Sequence, residues 1–167
     1  MAKSKQQKEA ILKRLENAFK SASSAVFVHF TGISVADESQ MRSALKEEGN
    51  IYFVAKKTLI KKALQNAGIA GEIPNLDGEV AVVYSAADVE DITGSARGVY
   101  TFSKQFGADR LSIIGGIFEG GLKNAVAMNE VATIPPIPVL RGMFVNVINS
   151  PIQGLVIALN QIAEKKA

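Results

Sequence analysis

The apolar positions near the start of the chain recur at the spacing of a helix and then give way to a strand. Residues 4–20 are predicted to form an amphipathic helix, because apolar side chains fall three and four residues apart among lysines. The predicted buried stripe consists of Ile11, Leu12, Leu15 and Phe19. Valine and phenylalanine then dominate residues 25–30, which is typical of a strand.

A capping signal predicts a second helix, which a second strand follows. Ser34 and Asp37 stand three residues apart, as in a capping box, where each side chain satisfies an exposed backbone donor of the first turn. The helix is expected to end at Gly49, because glycine readily adopts the left-handed conformation that closes helices. Its inward side chains are predicted to be Met41, Ala44 and Leu45. Residues 51–55 are then predicted to form a strand.

Residues 57–67 carry the clearest helical pattern in the chain, and Gly68 is expected to end this helix. At about 100° per residue, its apolar and basic side chains fall on opposite sides. The apolar side consists of Leu59, Ile60, Ala63, Leu64 and Ala67. The opposite side consists of Lys57, Thr58, Lys61 and Lys62. The basic residues are therefore predicted to share one exposed face.

The next strand and helix are predicted from a turn and a second capping signal. The turn at Asp77-Gly78 leads into a strand over residues 80–84. Ser85 and Asp88 repeat the capping-box spacing. We therefore expect a helix after Ser85, interrupted by two glycines at positions 94 and 98.

A fourth strand is predicted over residues 111–118, followed by a turn at Gly120-Gly121 and a short helix over residues 122–128. Alternating strands and helices indicate an α/β (α+β) fold. We expect a mixed sheet of about four strands covered by helices, followed by a separate extended C-terminal helix. The predicted division is a globular domain over 1–133, a proline-rich hinge over 134–138 and the C-terminal helix over 139–167.

The C-terminal segment has no charged side chain between Arg141 and Glu164 and repeats an apolar pattern after 11 residues. The first copy contains Phe144, Val145, Val147 and Ile148, and the second contains Leu155, Val156, Ala158 and Leu159. Eleven residues are close to three helical turns, so the two patches point nearly the same way, roughly 16 Å apart. Pro151 lies between them and is expected to kink the helix or to mark a joint between two pieces.

Three interpretations of this segment are open. A membrane span fits the length, but the six asparagine, serine and glutamine side chains would each need a partner in lipid. A buried core helix is the second interpretation, although the prolines before it favour a helix that leaves the domain. We favour the third, a helix whose apolar faces are covered by other protein chains.

The charge distribution suggests a polyanionic partner for the first part of the chain. Residues 1–62 carry 12 basic and 6 acidic side chains, whereas the rest carries 7 basic and 10 acidic ones. Nucleic acid is the commonest such partner, but a solvated charged surface would give the same asymmetry. The lysine-rich start lacks the pattern of a secretory signal, so the expected compartment is the cytoplasm.

The amino-acid composition of the chain argues against an enzyme. The 167 residues include no cysteine and one histidine, so thiolate metal sites, disulfides and cysteine nucleophiles are excluded. His29 is better explained as a tolerated strand residue than as a catalytic base, since no serine or carboxylate can be assigned to it. We therefore predict no catalytic residue, metal site or cofactor.

Several runs together resemble the family of bacterial large-subunit ribosomal protein ten, which forms the base of the ribosomal stalk. They begin with His29-Phe30-Thr31-Gly32-Ile33-Ser34-Val35, Met41-Arg42, Val54-Ala55-Lys56-Lys57-Thr58-Leu59 and Ala63-Leu64. They continue with Gly78, Ala81-Val82-Val83-Tyr84-Ser85, Gly115-Gly116, Glu119-Gly120 and the repeated C-terminal pattern. Two positions depart from the family's pattern, since Thr31 stands where arginine is usual and Lys57 where asparagine is usual.

The resemblance implies a non-enzymatic scaffold of the large ribosomal subunit. Its globular domain would bind large-subunit (23S) ribosomal RNA beside ribosomal protein eleven. Its C-terminal helix would anchor two dimers of the L-seven/twelve stalk protein, which recruit translational GTPases. Repression of its own messenger RNA would be a further role. The runner-up from another class is a soluble domain with a C-terminal membrane anchor.

Two sets of candidate binding residues follow. The candidate RNA-binding residues are Lys3, Lys5, Lys8, Gly32, Arg42, Lys56, Lys57, Thr58, Lys61 and Lys62. The candidate anchors for the stalk protein are Phe144, Val145, Ile148, Leu155, Val156 and Leu159. Because the chain lacks an aromatic-rich RNA-recognition strand, we expect binding to the backbone and shape of folded RNA.

Overall fold

The computed structural model describes residues 5–69, 71, 74–85, 91–107 and 109–166. Strands and helices alternate as the sequence predicts, and contacts divide the chain into two compact units, Met1–Ile134 and Pro135–Ala167. The helices of the first unit are α1 (Lys5–Ser21), α2 (Val35–Glu47), α3 (Lys57–Ala67), α4 (Gly94–Phe106) and α5 (Ala125–Ala132). Its strands are β1 (Ser24–Phe30), β2 (Asn50–Val54), β3 (Val80–Ser85), β4 (Leu111–Phe118) and β5 (Gly121–Asn124). The second unit contains α6 (Ile137–Lys166).

The five strands form one sheet in the order β2-β3-β1-β4-β5. Every adjacent pair is antiparallel, with Phe27 of β1 opposite Val82 of β3 on one side and opposite Gly115 of β4 on the other. The ladder between β1 and β4 shifts register after Phe27, because β4 contributes one extra residue there. This central part of the sheet lies between the two outer strands, β2 and β5.

Alternate side chains of the sheet enter two separate cores, one on each face. On one face, Phe27 and Val82 pack with Leu15 of α1 and Ile60 of α3. On the other face lie helices α2, α4 and α5, whose core residues include Met41, Leu45, Val99 and Met128. The first unit is therefore a three-layer arrangement of helices, sheet and helices, and the predicted α/β class is confirmed.

The early helices match their predicted patterns closely. Helix α3 covers the predicted residues and ends at Gly68, which adopts the left-handed conformation with φ of 65°. Helix α2 begins after Ser34, whose hydroxyl accepts a hydrogen bond from the Asp37 N–H and donates one to the Asp37 carboxylate. It ends at Glu47, and Gly49 follows with φ of 79°. The capping residues at these positions were sufficient to predict the helix ends, because a helix cap makes its contacts within a few residues along the chain.

The prediction of a mixed sheet of about four strands is wrong in two details. Residues 121–124 form a fifth strand, where the sequence predicts the start of a helix. Glu119 and Gly120, both at positive φ, reverse the chain so that Leu122 pairs with Ile117 of β4. Helix α5 starts only at Ala125, where the Asn124 side chain accepts from the Ala127 N–H.

The sheet is antiparallel rather than mixed because other strands separate those that the helices connect. Strands β1 and β2, joined through α2, run in the same direction, but β3 lies between them. Strands β3 and β4, joined through α4, likewise run in the same direction and are separated by β1. The order of the strands depends on contacts between distant segments, so the local sequence pattern does not predict it.

The predicted start of the fourth helix, directly after Ser85, lies outside the described residues. Ser85 is the last residue of β3, and Asp88 lies outside the described residues. Helix α4 begins at Gly94, and Gly98 lies inside it without ending it. A β-carbon on Gly98 would lie 2.7 Å from Cδ2 of Leu45, so this glycine allows α4 to approach α2 closely.

The C-terminal helix is longer than predicted and continuous. It begins at Ile137, so Ile137 and Pro138 of the predicted hinge belong to its first turn. Proline is tolerated there because first-turn N–H groups have no acceptor within the helix. The helix also continues through Pro151, which therefore does not separate two helices. Its 30 residues correspond to a length of about 45 Å.

Candidate nucleic-acid interface and C-terminal helix

One exposed face of α3 gathers five of the candidate RNA-binding residues. We call this face the lysine surface, which consists of Lys56, Lys57, Thr58, Lys61 and Lys62. All five residues are exposed, whereas Ile60, Ala63 and Leu64 on the other side of the helix are buried in the core. Because these core contacts fix the rotation of α3, they also hold the lysines toward solvent.

The start of α3 adds backbone donors to the lysine surface. Lys56 is extended, with φ of −64° and ψ of 133°, and its carbonyl oxygen accepts from the N–H groups of Leu59 and Ile60 at 2.8 and 3.2 Å. Its side chain makes no capping hydrogen bond, as expected for an ammonium group, which has no acceptor for the helix N–H groups. The first-turn N–H groups of a helix lack internal acceptors and favour anions.

A cleft of about 630 Å³ opens beside the start of α3. Its walls combine the first residues of the lysine surface with apolar side chains from three strand ends. The lining residues are Phe30, Val54, Ala55, Lys56, Lys57, Thr58, Gly78, Glu79 and Val80. The cleft therefore combines two lysines with one acidic residue, Glu79, and an apolar floor.

The loop after β1 is tied to the loop before β3 through His29. The Nδ1 atom of His29 lies 3.1 Å from the Glu79 carbonyl oxygen, and Nε2 lies 3.0 Å from the Thr31 hydroxyl. A β-carbon on Gly78 would lie 2.3 Å from Cε1 of the imidazole ring. His29 therefore connects two loops, in agreement with its interpretation as a structural residue. Gly32, at φ of 62°, is exposed in the first of these loops.

The remaining basic candidates do not all lie on this face. Lys5 and Lys8 are exposed on α1, which packs beside α3 on the same side of the sheet, and Lys3 lies outside the described residues. Arg42 belongs to α2 on the opposite side of the sheet, where it forms a 2.7 Å ion pair with Glu38. The structure thus brings the residues of α3 together and places Arg42 elsewhere.

A second group of polar residues, which no motif in the sequence predicts, lies around the outer strand β2. Arg14 and Lys46 line a cleft there together with Arg42, Asn50, Ile51 and Tyr52. Arg14 and Lys46 belong to the basic first part of the chain, residues 1–62. This excess of positive charge is the only feature of the sequence that indicates them. Asn50 and Tyr52 carry no signal in the linear pattern, since only the sheet places them between α1 and α2.

A separate polar cluster holds the start of α4. Asp91 accepts hydrogen bonds from the Thr93 N–H and hydroxyl, at 3.1 and 2.8 Å, and forms an ion pair with Arg97. Arg97 also donates to the carbonyl oxygen of Ile134 at 3.2 Å, where the first unit ends. Burial acts to raise the pKa of Asp91, but the hydrogen bonds and charge of Arg97, with those of Thr93, hold it below its ordinary value.

Every side chain of α6 from Ile137 to Lys165 is exposed. The six candidate anchors show between 51% and 68% of their surface, although all are apolar. They are Phe144, Val145, Ile148, Leu155, Val156 and Leu159. Since apolar side chains gain free energy when they leave water, such a continuous exposed surface indicates a binding site. By length and composition, α6 also qualifies as a membrane span.

A layered domain with a cationic helix face, together with a long exposed apolar helix, defines a protein that acts through binding surfaces. A family model described as Ribosomal protein L10 matches residues 3–97. The chain is 36% identical over 161 residues to Large ribosomal subunit protein uL10 of Thermotoga neapolitana, covering 95% of this chain and 89% of the relative. It is 34% identical to the protein of that name from Staphylococcus saprophyticus, covering 97% and 90%. It is 30% identical to that of Shouchella clausii, covering 99% and 97%.

The chain therefore belongs to the ribosomal protein L10 family. It is a structural, non-enzymatic constituent of the large ribosomal subunit and acts in translation, in the ribosome of the bacterial cytoplasm. The expectation that the protein is not an enzyme is confirmed by this membership.

Proposed function

We propose that the lysine surface binds large-subunit (23S) ribosomal RNA at the base of the stalk. The observation that carries this proposal is the segregation of α3 and its N-cap residue, with four exposed lysines and Thr58 on one side and a largely buried apolar side opposite. Lysine side chains and helix-start N–H groups are typical phosphate ligands. Rigid attachment of α3 to the core allows several phosphates to be bound at once.

In this proposal the residues around α3 extend the RNA contact. Lys5 and Lys8 on the neighbouring helix α1, with Lys3 before them, add charge on the same side of the sheet. Gly32 allows the exposed loop after β1 to approach RNA closely, and Arg42 contacts RNA from the side of α2. Ribosomal protein eleven is the proposed neighbour of this domain on the RNA.

Filter binding of the full chain to in vitro transcribed large-subunit ribosomal RNA tests the RNA proposal. The variant Lys57→Gln/Lys61→Gln should bind more weakly, because two phosphate contacts are lost. The slope of log affinity against log salt should fall by about 0.7 to 0.9 per contact. Lys123→Gln, which removes an exposed lysine at the far edge of the sheet, is the matched control. Salt-independent binding by the parent protein would exclude the proposal.

We further propose that α6 anchors two dimers of the L-seven/twelve stalk protein, which recruit translational GTPases. The two apolar patches of the repeat would each receive one dimer, so residues 139–167 act as a docking helix beyond the RNA-binding domain of residues 1–133 and the stretch 134–138. Burial of each large anchor contributes roughly 1.5 to 3 kcal/mol before ordering costs. Three anchors per patch are enough for stable association.

Native mass spectrometry of the protein with its stalk protein tests the docking proposal. Four stalk-protein chains per copy are expected from two patches. Six chains would mean that a third patch exists, for which Val139 and Leu140 are the exposed candidates. Absence of bound stalk protein would exclude the docking role.

The membrane-anchor alternative makes a different prediction for α6. The helix is long and apolar enough to span a membrane, but polar side chains such as Asn146 and Asn160 would need hydrogen-bond partners in lipid. Fractionation of cells should place the protein with ribosomes and not with membranes. Recovery in the membrane fraction after ribosomes have been removed would favour the anchor.

We also propose that the lysine surface serves in repression of the protein's own messenger RNA. The same phosphate contacts would bind a leader that folds like the ribosomal site. Excess protein should then lower translation of a reporter fused to that leader, and Lys57→Gln/Lys61→Gln should relieve the effect.

A further inference from the structure

The outer strand β2 is flanked by two arginines from opposite faces of the sheet. Arg14 of α1 lies 4.7 Å from the centre of the Phe53 ring, and Arg42 of α2 lies 5.1 Å from the centre of the Tyr52 ring. Because Tyr52 and Phe53 are consecutive, their rings point to opposite faces. Stacking on a strand residue restrains each guanidinium group, so both cations are held at the same edge of the sheet.

We call the space between these cations the β2-edge cleft, of about 320 Å³. It is lined by Arg14, Arg42, Lys46, Asn50, Ile51 and Tyr52. Three cations therefore line it, and the Glu38 carboxylate is bound to one of them, through a 2.7 Å contact with Nη2 of Arg42. The cleft keeps a net positive charge and is suited to an anion.

Two buried polar side chains in the same cleft have no hydrogen-bond partner among the described residues. Asn50 is only 2% exposed, and neither its carboxamide nitrogen nor its oxygen is bonded. The Tyr52 hydroxyl is likewise buried without a partner. Burial raises the pKa of Tyr52 above its ordinary range, with a further contribution from Glu38, so the hydroxyl stays neutral and able to donate. Buried polar groups are nearly always bonded, and these are the exceptions.

The combination of charge and unbonded neutral groups specifies the kind of ligand. A simple anion would bind the three cations, but it would leave the donor and the acceptor of the Asn50 carboxamide without hydrogen-bond partners. A nucleotide unit supplies both a phosphate for the cations and neutral hydroxyl, amino or carbonyl groups for the carboxamide. Asparagine is also a common partner of base edges.

We propose that the β2-edge cleft binds one nucleotide of the RNA that the lysine surface binds. Its phosphate lies against Arg14, Arg42 and Lys46, and a polar edge of its ribose or base bonds to the Asn50 carboxamide. Strand β2 begins at Asn50 and leads to Lys56 after roughly 20 Å at 3.3 Å per residue. The backbone of the bound RNA can therefore follow β2 from the cleft to the lysine surface. This inference rests on the proposed RNA-binding function.

Asn50→Leu gives the sharpest test, because leucine has a similar size and no polar atoms. If the carboxamide serves only the fold, its replacement by an apolar group leaves RNA binding unchanged. The inference instead predicts unchanged or higher thermal stability together with about tenfold weaker binding of large-subunit ribosomal RNA, measured by filter binding with the full chain. Unchanged affinity in the folded variant overturns the inference.

Lys46→Gln provides a second test that does not depend on core packing. Lys46 is exposed, so the variant should fold as the parent does, bind the RNA more weakly and show a smaller salt slope, by about 0.7 to 0.9. Lys123→Gln again serves as the charge-matched control at the opposite edge of the sheet and should bind as the parent does.

The outcomes separate this inference from the proposed function. If Lys57→Gln/Lys61→Gln weakens RNA binding but Lys46→Gln does not, the lysine surface binds RNA and the inference is wrong. If the parent protein shows no salt-dependent RNA binding, both are wrong. Titration with inorganic phosphate, followed by NMR, tests for a free-anion site. Phosphate binding that Lys46→Gln abolishes without any change in RNA affinity also overturns the inference.

Discussion

Gly116 of β4 lies so close to Ala25 of β1 that a β-carbon on it would be 2.5 Å from the Ala25 carbonyl oxygen. On its other side, the same β-carbon would be 2.8 Å from Cε of Met128. The methionine end can move, but the carbonyl oxygen belongs to the central strand of the sheet and is fixed by its ladders. A glycine is therefore required here for strand packing, although its φ is not positive.

Gly116→Ala is accordingly expected to destabilise the protein by about 1 to 3 kcal/mol, since the added methyl group forces β1 and β4 apart. Urea unfolding of the two proteins measures the difference. Gly94→Ala is the matched control, because its β-carbon would meet only ordinary contacts at 3.7 Å or more. A similar loss of stability in both variants would show that the Ala25 contact is not the cause.

Gly78→Ala should cost more stability than Gly32→Ala, although both glycines have positive φ, at 69° and 62°. The backbone penalty, about 1 to 2 kcal/mol, applies to both positions. Only Gly78 also faces an atom at 2.3 Å, Cε1 of His29. Adding His29→Ala to Gly78→Ala should remove this steric part, which urea unfolding would detect. Equal costs at the two glycines would contradict the His29 contact.

The ion pair between Asp91 and Arg97 should make stability depend on pH in the acid range. Because the folded protein holds the pKa of Asp91 below its ordinary value of 3.8, the carboxylate stabilises the fold at higher pH. This contribution is lost as the pH falls through the folded-state pKa. The free energy of unfolding of Asp91→Asn should be about 1 kcal/mol lower than that of the parent near pH 6.

The difference in the free energy of unfolding between the parent and Asp91→Asn should shrink as the pH approaches 3. Urea unfolding across this pH range measures it. Asp109→Asn, which alters an exposed carboxylate before β4, is the control and should show no such convergence. A difference that stays constant down to low pH would mean that Asp91 acts through packing and not through its charge.

Single charged substitutions should separate the two proposed docking patches of α6. Phe144→Asp should remove the dimer at the first patch and Leu155→Asp the dimer at the second, because a carboxylate cannot be buried in an apolar contact without a partner. Native mass spectrometry should therefore show two stalk-protein chains with either variant. Ser150→Asp adds a charge on the opposite side of the helix and should leave four. Loss of both dimers from one substitution would contradict independent patches.

Local signals explain which elements were predictable. The ends of α3 follow from the lysine and apolar periodicity of its eleven residues and from Gly68, which directly follows them. The short strand β5 was missed because Gly121–Asn124 has no strand pattern of its own and becomes a strand only by pairing with β4. The β2-edge cleft was missed for the same reason, since Arg14, Arg42 and Asn50 are distant in sequence and meet only through the sheet.

The amino-acid sequence by itself determined the class of fold, the exposed lysines of α3 and the repeated apolar pattern of the last helix. Each of these features depends on the spacing of residues within short segments. That spacing is present in the linear sequence and does not depend on distant contacts. The tertiary structure decided the strand order β2-β3-β1-β4-β5, the requirement for glycine at position 116 and the meeting of Arg14 with Arg42 beside Asn50. These features depend on contacts between segments that are far apart in the sequence. Such contacts form only when the whole chain folds.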